Sequence, residues 1–380
     1  MAPIRYWPEI LGIAPYVPGK PVEELERELG IRDAVKLASN ENSLGPSPKA
    51  MEALRQAIAN VHRYPDGPGT PLRVKLAQRL KVAPDEVILG NGSNEIIELL
   101  VRGFVTAGDE AVMADLTFSL YALMVTVAHG TPVRVPLRDG RHDLEAMAKA
   151  VTPKTRLFFL CNPNNPTGTM VTAAEFTRLL ARLPDTVVVV ADEAYVEYAT
   201  DPDFPHSIDA RLSGPPVIVL RTFSKLYGLA GLRIGYGIAR RELIAYLDRI
   251  HQPFNTNRLA QIAAAAALED EPHLVASRRV NEEGKAFLFA LFADLGWTAY
   301  PTQSNFIYAD TRLTGGQAGR SLPAGRQDAD GGGRRLYEAL LREGVIVRHI
   351  EGSRLRVTVG RAEEHQRLAD ALRRVVARAA

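Results

Sequence analysis

A lysine that follows a buried strand and stands among phosphate-binding side chains is the strongest chemical feature of this sequence. The apolar run Val217–Leu220 predicts such a strand, and Thr222, Ser224 and Lys225 come directly after it. Arg233 follows eight positions later, after two turns of small residues. A lysine amine can form a Schiff base, while hydroxyl and guanidinium groups bind phosphate. The combination predicts a pyridoxal phosphate (PLP) site at the carboxyl end of the strand, where open α/β sheets bind ligands.

A second predicted strand ends in a carboxylate. The β-branched run Thr186–Ala191 leads into Asp192, and Tyr195 follows three residues later. A carboxylate here can pair with the pyridinium nitrogen of PLP and keep the ring an electron sink, and the tyrosine can reach the phenolic oxygen of the ring. A helix N-cap is the other interpretation of Asp192, and that residue alone does not decide between the two.

A third predicted strand, Arg156–Cys161, ends in the rigid turn Asn162–Gly168. The amide of Asn165 in this turn can donate to the same phenolic oxygen, although a turn without a ligand is also compatible with its sequence. Three consecutive strands that end near Asn165, Asp192 and Lys225 would bring complementary groups to one edge of one sheet. Coincidence becomes a poor explanation of that pattern.

A fourth strand, Glu86–Gly90, leads into a predicted helix start. Gly92 permits close backbone approach, and the free amides of Ser93 and Asn94 make an anion site suited to a phosphate.

The same strand allows a different class of protein, a nicotinamide dehydrogenase. Gly90 and Gly92 after a strand, with Asp115 closing the next strand, resemble half of a dinucleotide-binding fingerprint. Glu95, however, occupies the place of the third glycine and would repel a pyrophosphate. The dehydrogenase interpretation is therefore disfavoured.

Taken together, these motifs resemble the fold-type-I PLP enzymes of the class I/II aminotransferase family. The resemblance runs nearly end to end through Pro15–Lys20, Leu37–Asn42, Arg63–Asp66, Asn162–Gly168, Ser224–Tyr236 and Leu355–Gly360. The first two segments point to the branch of the family that acts on histidinol phosphate. An aromatic amino-acid aminotransferase is the alternative, and a threonine-phosphate decarboxylase is less similar in the N-terminal segment.

The resemblance implies an α/β fold, with a large three-layer α/β/α domain around a mostly parallel sheet and a smaller C-terminal α/β domain. We expect an N-terminal arm over residues 1–45 that covers the active site, a PLP-binding domain over 46–260 and a small domain over 261–380. A Gly-rich segment at about 313–333 is predicted to be an inserted surface loop, because it cannot bury an apolar face.

The resemblance also implies roles for individual residues in PLP binding and catalysis. Lys225 would form the Schiff base and move the proton, Asp192 would pair with the pyridine nitrogen, and Tyr195 would bind the ring oxygen. Asn165 would share that oxygen, and Phe118 would stack on the ring where the family usually has tyrosine. The residues expected to hold the cofactor phosphate are Gly92, Ser93, Asn94, Thr222, Ser224, Arg233 and, from a partner subunit, Tyr64.

Four residues are expected to bind the substrate. Arg356 would clamp the carboxylate of the amino acid, for which its planar fork is suited. Tyr16 and Arg348 would contact a distal phosphate, and Asn40 lies in another matching segment. The implied reaction is ping-pong transamination of L-histidinol phosphate with 2-oxoglutarate, giving imidazole acetol phosphate and glutamate in histidine biosynthesis, by a homodimer with composite active sites.

Composition agrees with this assignment. The 380 residues are 46% hydrophobic and 24% charged, as in a soluble α/β protein large enough for two domains. A net charge of +2 favours neither a nucleic-acid partner nor a membrane surface. Cys161 is the single cysteine, and the eight histidines show no metal-site spacing. We expect a cytoplasmic protein without metal.

A PLP-binding transcription regulator would need a further N-terminal domain, for which about 45 residues are too few.

Overall fold

The structure, a computed structural model, describes residues 4, 6–15, 19–312 and 332–379, without the side chains of 378 and 379. Within these ranges the chain forms thirteen α-helices and thirteen strands. The helices are α1 Pro8–Leu11, α2 Val22–Leu29, α3 Pro48–Ala57, α4 Thr70–Leu80, α5 Ser93–Phe104, α6 Leu120–Val127, α7 Leu144–Lys149, α8 Ala173–Leu180, α9 Arg241–Leu247, α10 Arg258–Ala267, α11 Glu271–Asp294, α12 Gly333–Arg342 and α13 Ala362–Ala379. The strands are β1 Val35–Lys36, β2 Val87–Gly90, β3 Glu110–Ala114, β4 Thr131–Val135, β5 Thr155–Cys161, β6 Val188–Asp192, β7 Val217–Thr222, β8 Gly235–Ile238, β9 Thr298–Ala299, β10 Phe306–Asp310, β11 Val345–Ile346, β12 Arg348–Glu351 and β13 Arg354–Thr358.

The chain divides into two compact units. As far as these ranges are described, the first unit is formed by Met1–Tyr16, Pro46–Asn165 and Met170–Leu274, and the second by Val17–Gly45, Pro166–Thr169 and Val275–Ala380. The division differs from the domains expected from the sequence. The expected boundary at residue 260 falls inside α10, whose buried alanines belong to the core of the first unit. The expected arm over residues 1–45 is shared between the two units.

The first unit is built on a seven-stranded sheet with the strand order β2-β8-β7-β6-β5-β3-β4. Strands β3 to β7 run parallel to one another, and β8 is antiparallel to both β7 and β2. Val, Leu, Ile and Phe dominate β5, β6 and β7, as expected where helices cover both faces of a sheet.

Both faces of this sheet are covered by helices. Alternate residues of each strand point to opposite faces and therefore belong to two different cores. In β6, for example, Val189 and Ala191 belong to one core, whereas Val188 and Val190 belong to the other. The first core also receives residues from α3, α4, α7, α8 and α10, and the second from α5, α6 and α9. The first unit therefore has the predicted three-layer arrangement and a mostly parallel sheet.

The second unit contains an antiparallel sheet with the strand order β12-β13-β10-β9. In addition, β1 pairs with β11 in parallel. Helices α12 and α13 contribute buried leucines to the core of this unit, together with Trp297 and Phe292.

Most predicted strands agree with the observed strands to within two residues. The exception is Val345–Arg348, whose largely apolar sequence predicts a single strand. The structure divides this segment at the buried Val347, because Val345–Ile346 pairs with β1 while the strand that begins at Arg348 pairs with β13. Among the described residues, no helix has both the length and the apolar composition needed to cross a membrane.

Candidate active site

Three candidate residues lie at or just beyond the carboxyl ends of neighbouring parallel strands. Asp192 is the last residue of β6, and its Cα is in register with Cys161 of β5 and Leu220 of β7. Asn165 follows the end of β5 by four residues, and Lys225 follows the end of β7 by three. The strand register therefore brings the three segments that carry these residues to one edge of the sheet.

Asp192 is a buried carboxylate with a donor on each oxygen. Asp192 is 3% exposed. The Tyr121 hydroxyl donates to its Oδ2 at 2.5 Å, and the backbone N–H of Ala194 donates to its Oδ1 at 3.2 Å. Burial raises the pKa of Asp192 to about 6, although both hydrogen bonds and the charge of Lys225 act in the opposite direction. A buried acid of this kind is suited to pair with a cationic ring nitrogen.

Lys225 lies beside two of the other candidates. Its Nζ is 5.5 Å from the centre of the Tyr195 ring, and its charge lowers the pKa of Asp192. Lys225 is half-buried, and Tyr195 is 4% exposed. The amine therefore stands close to a phenol and a buried acid, which are groups that could position a cofactor ring.

The start of α5 forms a tight cradle with Arg233. Gly92 caps the helix at φ 74°, and a Cβ built at this position would lie 2.5 Å from Nη2 of Arg233. Nη1 of the same guanidinium donates to Oγ of Ser224 at 3.3 Å. The backbone N of Ser93 also approaches β8 closely, since a Cβ at Gly235 would lie 2.4 Å from it. The first backbone amides of α5, the Ser224 hydroxyl and the Arg233 guanidinium therefore lie close together.

The other expected phosphate ligands lie around this cradle with different exposure. Thr222 is buried, and its Oγ1 accepts a hydrogen bond from the backbone N of Ser224 at 3.1 Å. Asn94 is exposed in the first turn of α5.

Glu95 has a structural role that the sequence interpretation missed. Its Oε2 accepts from the backbone N of Asn91 at 2.6 Å and from Nδ2 of Asn255 at 2.7 Å. The Glu95 carboxylate therefore links the loop before α5 to Asn255. The position of Glu95, four residues after Asn91, is a local indication of the first contact. The second contact could not be predicted, because Asn255 is 160 positions away in the sequence.

Phe118 and Tyr121 form an aromatic group next to Asp192. Their rings meet edge to face at 5.6 Å, and Tyr121 stacks on Phe159 at 4.5 Å. Phe118 is half-buried and lies just before α6, whereas Tyr121 is fully buried. The contribution of Tyr121 was also missed, because its hydrogen bond to Asp192 joins residues 71 positions apart.

In the second unit, Arg348 of β12 and Arg356 of β13 are direct partners across an antiparallel strand pair. Nη2 of Arg356 donates to the backbone O of Ala38 at 2.6 Å, and its guanidinium carbon lies 5.3 Å from the centre of the Phe306 ring. Directly paired residues of neighbouring strands lie on the same face of a sheet, and guanidinium groups bind carboxylate and phosphate well. The pair therefore has side chains of the type that bind an anion.

Asn40 lies in a buried hydrogen-bond network of the second unit. It is 1% exposed and has a positive φ of 55°. Its backbone N donates to Oγ1 of Thr358, that hydroxyl donates to Oδ1 of Asn40, and Nδ2 of Asn305 donates to the backbone O of Asn40. The network fixes the Asn40 segment beside the strand that carries Arg356.

Tyr64 is located on the surface of the first unit. It is 79% exposed and stacks on Phe254, with ring centres 4.7 Å apart. Tyr16, the other tyrosine expected at the site, lies outside the described residues, as does most of the Gly-rich segment predicted to be an insertion.

The donor set of the first unit fits PLP. Gly92 has no side chain to cover the first backbone amides of α5, so an anion can approach them. Arg233 supplies a positive charge at the same place. The buried Asp192 needs a cationic partner, and Lys225 supplies the amine. In the part of the chain that the structure describes, no group of histidine, cysteine, aspartate or glutamate side chains could hold a metal ion.

Comparison with known proteins identifies the family. The sequence profile of "Aminotransferase class I and II" matches residues 32–372. The chain belongs to this family. Two proteins named "Histidinol-phosphate aminotransferase" are each 48% identical to it, one from Moorella thermoacetica over 97% of this chain and 92% of that protein, and one from Anaeromyxobacter sp. over 97% and 98%.

Solved structures of aminotransferases agree with this family assignment. The histidinol-phosphate aminotransferase from Sinorhizobium meliloti, determined in complex with pyridoxal-5'-phosphate, has a TM-score of 0.87 and 30% identity, and covers 100% of this chain and 99% of its own. A Thermus thermophilus aspartate aminotransferase variant, at 22% identity and a TM-score of 0.81, shares the fold. The predicted fold-type-I architecture is confirmed.

Proposed function

We propose that this aminotransferase transfers the amino group of L-histidinol phosphate to 2-oxoglutarate, with PLP as cofactor. The products are imidazole acetol phosphate and glutamate, so the reaction belongs to histidine biosynthesis. The observation that carries this proposal is 48% identity, over 97% of the chain, to proteins named for this activity. The buried acid and the adjacent lysine at the sheet edge provide the chemistry that an aminotransferase needs.

When bound, PLP supplies a protonated ring that withdraws electrons from the substrate's Cα. In our proposal, Asp192 holds the proton on the ring nitrogen, because a buried carboxylate gains a partner there. Lys225 would hold the cofactor through Nζ, and the same amine would later move the proton at the substrate's Cα. Tyr195 and Asn165 hold the ring oxygen, and Phe118 packs on the ring face.

The cofactor phosphate is proposed to bind at the start of α5. Backbone amides at a helix N-terminus and a guanidinium are the groups that bind phosphate most readily. The residues assigned to this role are Gly92, Ser93, Asn94, Thr222, Ser224 and Arg233.

Substrate recognition is assigned to the second unit and to Tyr16. Arg356 would bind the carboxylate of glutamate or 2-oxoglutarate, and Arg348, with Tyr16, would bind the phosphate of histidinol phosphate. Asn40 would complete this group through the network that it forms with Thr358. The register that pairs Arg348 with Arg356 supports the assignment, because directly paired residues of neighbouring strands lie on the same face of a sheet.

We further propose a cytoplasmic homodimer in which Tyr64 completes the partner's cofactor site. Exposed apolar residues support an interface here. Phe254, which stacks on Tyr64, is 45% exposed, and Ile58 and Val61, six and three positions before Tyr64, are 61% and 59% exposed. The proposed organisation retains an N-terminal arm, a PLP-binding domain and a small domain, with the boundary between the last two moved to residue 274.

Steady-state kinetics with different amino donors test the substrate assignment. We expect kcat/KM for histidinol phosphate to exceed the values for phenylalanine and tyrosine, with 2-oxoglutarate as acceptor. Arg348→Ala removes a charge-assisted hydrogen bond to phosphate, so it should lower kcat/KM for the phosphorylated donor about ten- to hundredfold. The value for phenylalanine should change little.

The matched control is Arg354→Ala, two residues before Arg356 on β13, because this arginine is already paired with Glu351 at 2.6 Å. It should affect all donors alike. Equal use of phenylalanine and histidinol phosphate, with no selective effect of Arg348→Ala, would instead identify an aromatic aminotransferase.

A further inference from the structure

Asp192 has one side-chain donor that the proposed mechanism does not use. The Tyr121 hydroxyl lies 2.5 Å from Oδ2 of Asp192, while the other oxygen, Oδ1, accepts from the backbone N of Ala194 at 3.2 Å. With one donor on each oxygen, the plane of the carboxylate is fixed. A carboxylate oxygen has a second lone pair, so the group retains an acceptor position for a ring N–H.

The position of Tyr121 is itself rigidly determined. The residue is 0% exposed, and its ring stacks on Phe159 of β5 with an interplanar angle of 11°. The same ring meets Phe118 edge to face. Tyr121 therefore contacts both the proposed partner of the ring nitrogen and the proposed stacking residue.

Four titratable side chains of the described residues act on Asp192. Tyr121 approaches from α6, Cys161 from β5 and Lys225 from the segment after β7, and Glu193 is the next residue in the chain. Burial raises the pKa of the Cys161 thiol to about 12, so this thiol stays neutral. The charge of Glu193 is paired with Arg221 at 2.8 Å. Only Tyr121 and Lys225 among these side chains favour the ionised carboxylate.

We propose that Tyr121 is a positioning residue, which holds the Asp192 carboxylate ionised and aligned for the ring nitrogen of PLP. This inference rests on the proposed use of PLP, but not on the identity of the amino donor. Without the hydroxyl, a larger fraction of Asp192 is protonated before the cofactor binds. The ionised form must then be regenerated when the ring pairs with it, and the carboxylate is less restricted in orientation.

The test measures the dissociation constant of PLP for cofactor-free protein prepared from the holoenzyme. Tyr121→Phe should raise this constant about ten- to hundredfold at pH 7.5, the effect of one hydrogen bond to a charged group. On acidification, PLP affinity should begin to fall at a higher pH in Tyr121→Phe than in the wild type, since the variant carboxyl takes up its proton earlier.

Two comparisons separate positioning from a general structural effect. The loss caused by Tyr121→Phe should nearly disappear with 1-deazapyridoxal phosphate, which lacks the ring nitrogen, and in an Asp192→Asn background. Tyr227→Phe is the matched control, because Tyr227 is also buried but belongs to the core on the other face of the sheet. It should leave the pH profile unchanged. An equal loss of affinity for PLP and the deaza analogue would overturn the proposal.

A second substitution keeps the proposal testable if Tyr121→Phe does not fold. Replacing Tyr121 with 3-fluorotyrosine preserves the ring and provides a stronger donor, so the pH at which PLP affinity falls should decrease. No shift, or a shift in the opposite direction, would refute the role. If the wild type binds PLP but does not use histidinol phosphate, the proposed substrate fails while the result for Tyr121 remains decisive.

Discussion

The carboxylate of Asp192 shows how a single residue can oppose folding and still serve the site. Transfer of a charged group out of water costs free energy unless the group is paired and hydrogen-bonded. Two donors stabilise this carboxylate, yet burial still raises its pKa to about 6. The residue therefore destabilises the cofactor-free protein at neutral pH and becomes favourable when a cationic ring is bound.

Replacement of Asp192 by asparagine should therefore stabilise the cofactor-free protein. The folded pKa of about 6 lies above an unfolded value of about 3.9, so the carboxyl lowers stability progressively as pH rises from 4 to 6, and the loss is complete above 6. The shift corresponds to about 3 kcal/mol. Urea unfolding at pH 8 should show Asp192→Asn to be the more stable protein, and the difference should shrink towards pH 4.

The same variant should bind PLP less tightly, because an amide cannot replace the ion pair with the ring nitrogen. The control is Asp248→Asn, a partly exposed aspartate near Arg73 and His251, which should show neither effect. A cofactor-free Asp192→Asn protein that is less stable than wild type at pH 8 would contradict this account of the buried charge.

At the level of elements, the strands were the most predictable part of the fold. β6 and β7 are β-branched runs that end in polar residues, so pattern and propensity agree. The sheet edge with Asn165, Asp192 and Lys225 followed from the parallel register that such runs imply. The split at Val347 could not be predicted, because both halves are apolar and only tertiary pairing assigns them to different sheets.

The supporting contacts of the site were less predictable than its central residues. Tyr121 and Asn255 act through hydrogen bonds that span 71 and 160 positions, and nothing in their local sequence encodes the partner. Glu95 was interpreted only as a residue that would repel a pyrophosphate, whereas it accepts hydrogen bonds that hold the loop before α5. Motifs identify groups that meet a ligand, while long-range packing determines what supports them.

The start of α5 provides a prediction at this scale. Gly92 adopts φ 74° and ψ 167°, a region that is essentially restricted to glycine and costs other residues about 1–3 kcal/mol. A Cβ here would also displace the Arg233 guanidinium. Gly92→Ala should therefore lower both the melting temperature and the affinity for PLP, the latter by tenfold or more, about 1.4 kcal/mol.

Gly108→Ala is the matched control for this prediction. Gly108 has a φ of 93°, but a Cβ there would meet no atom within 4 Å. The variant should therefore lose stability from backbone strain and keep the wild-type PLP affinity, as measured by fluorescence titration of the cofactor-free protein. If both variants lose PLP affinity equally, the cradle at Gly92 has no specific role in phosphate binding.

At the scale of the whole molecule, the sequence indicated two parts, but their boundary depends on packing. Helix α10 is rich in alanine and resembles a connector in sequence, whereas its alanines are buried in the core of the first unit. The segment before residue 45 was expected to be an arm, yet β1 of this segment pairs with β11 in the second unit. Both boundaries depend on contacts between segments that are far apart in the sequence, and local sequence patterns do not predict such contacts.

Assembly is the property of the whole molecule that most affects catalysis in our proposal. Tyr64 is 79% exposed, although a cofactor ligand should be protected from water, so a second subunit would have to cover it. If Tyr64 reaches the partner's site, Lys225→Ala chains and Tyr64→Ala chains should complement each other. A hybrid dimer would contain one site that lacks both residues and one site with both native residues.

Mixing the two variants in equal amounts under conditions that exchange subunits should therefore restore activity at about a quarter of all sites. The measurement is aminotransferase activity of the mixture and of purified hybrids that carry a different tag on each chain, in which half of the sites should be active. Lys225→Ala mixed with Asp192→Asn is the control, because both residues are assigned to the site of their own chain, so neither site of that hybrid is intact. Recovery should occur only in the Tyr64 mixture. If purified hybrids of both kinds remain inactive, Tyr64 does not act across a subunit interface, and the exposed patch around it needs another explanation.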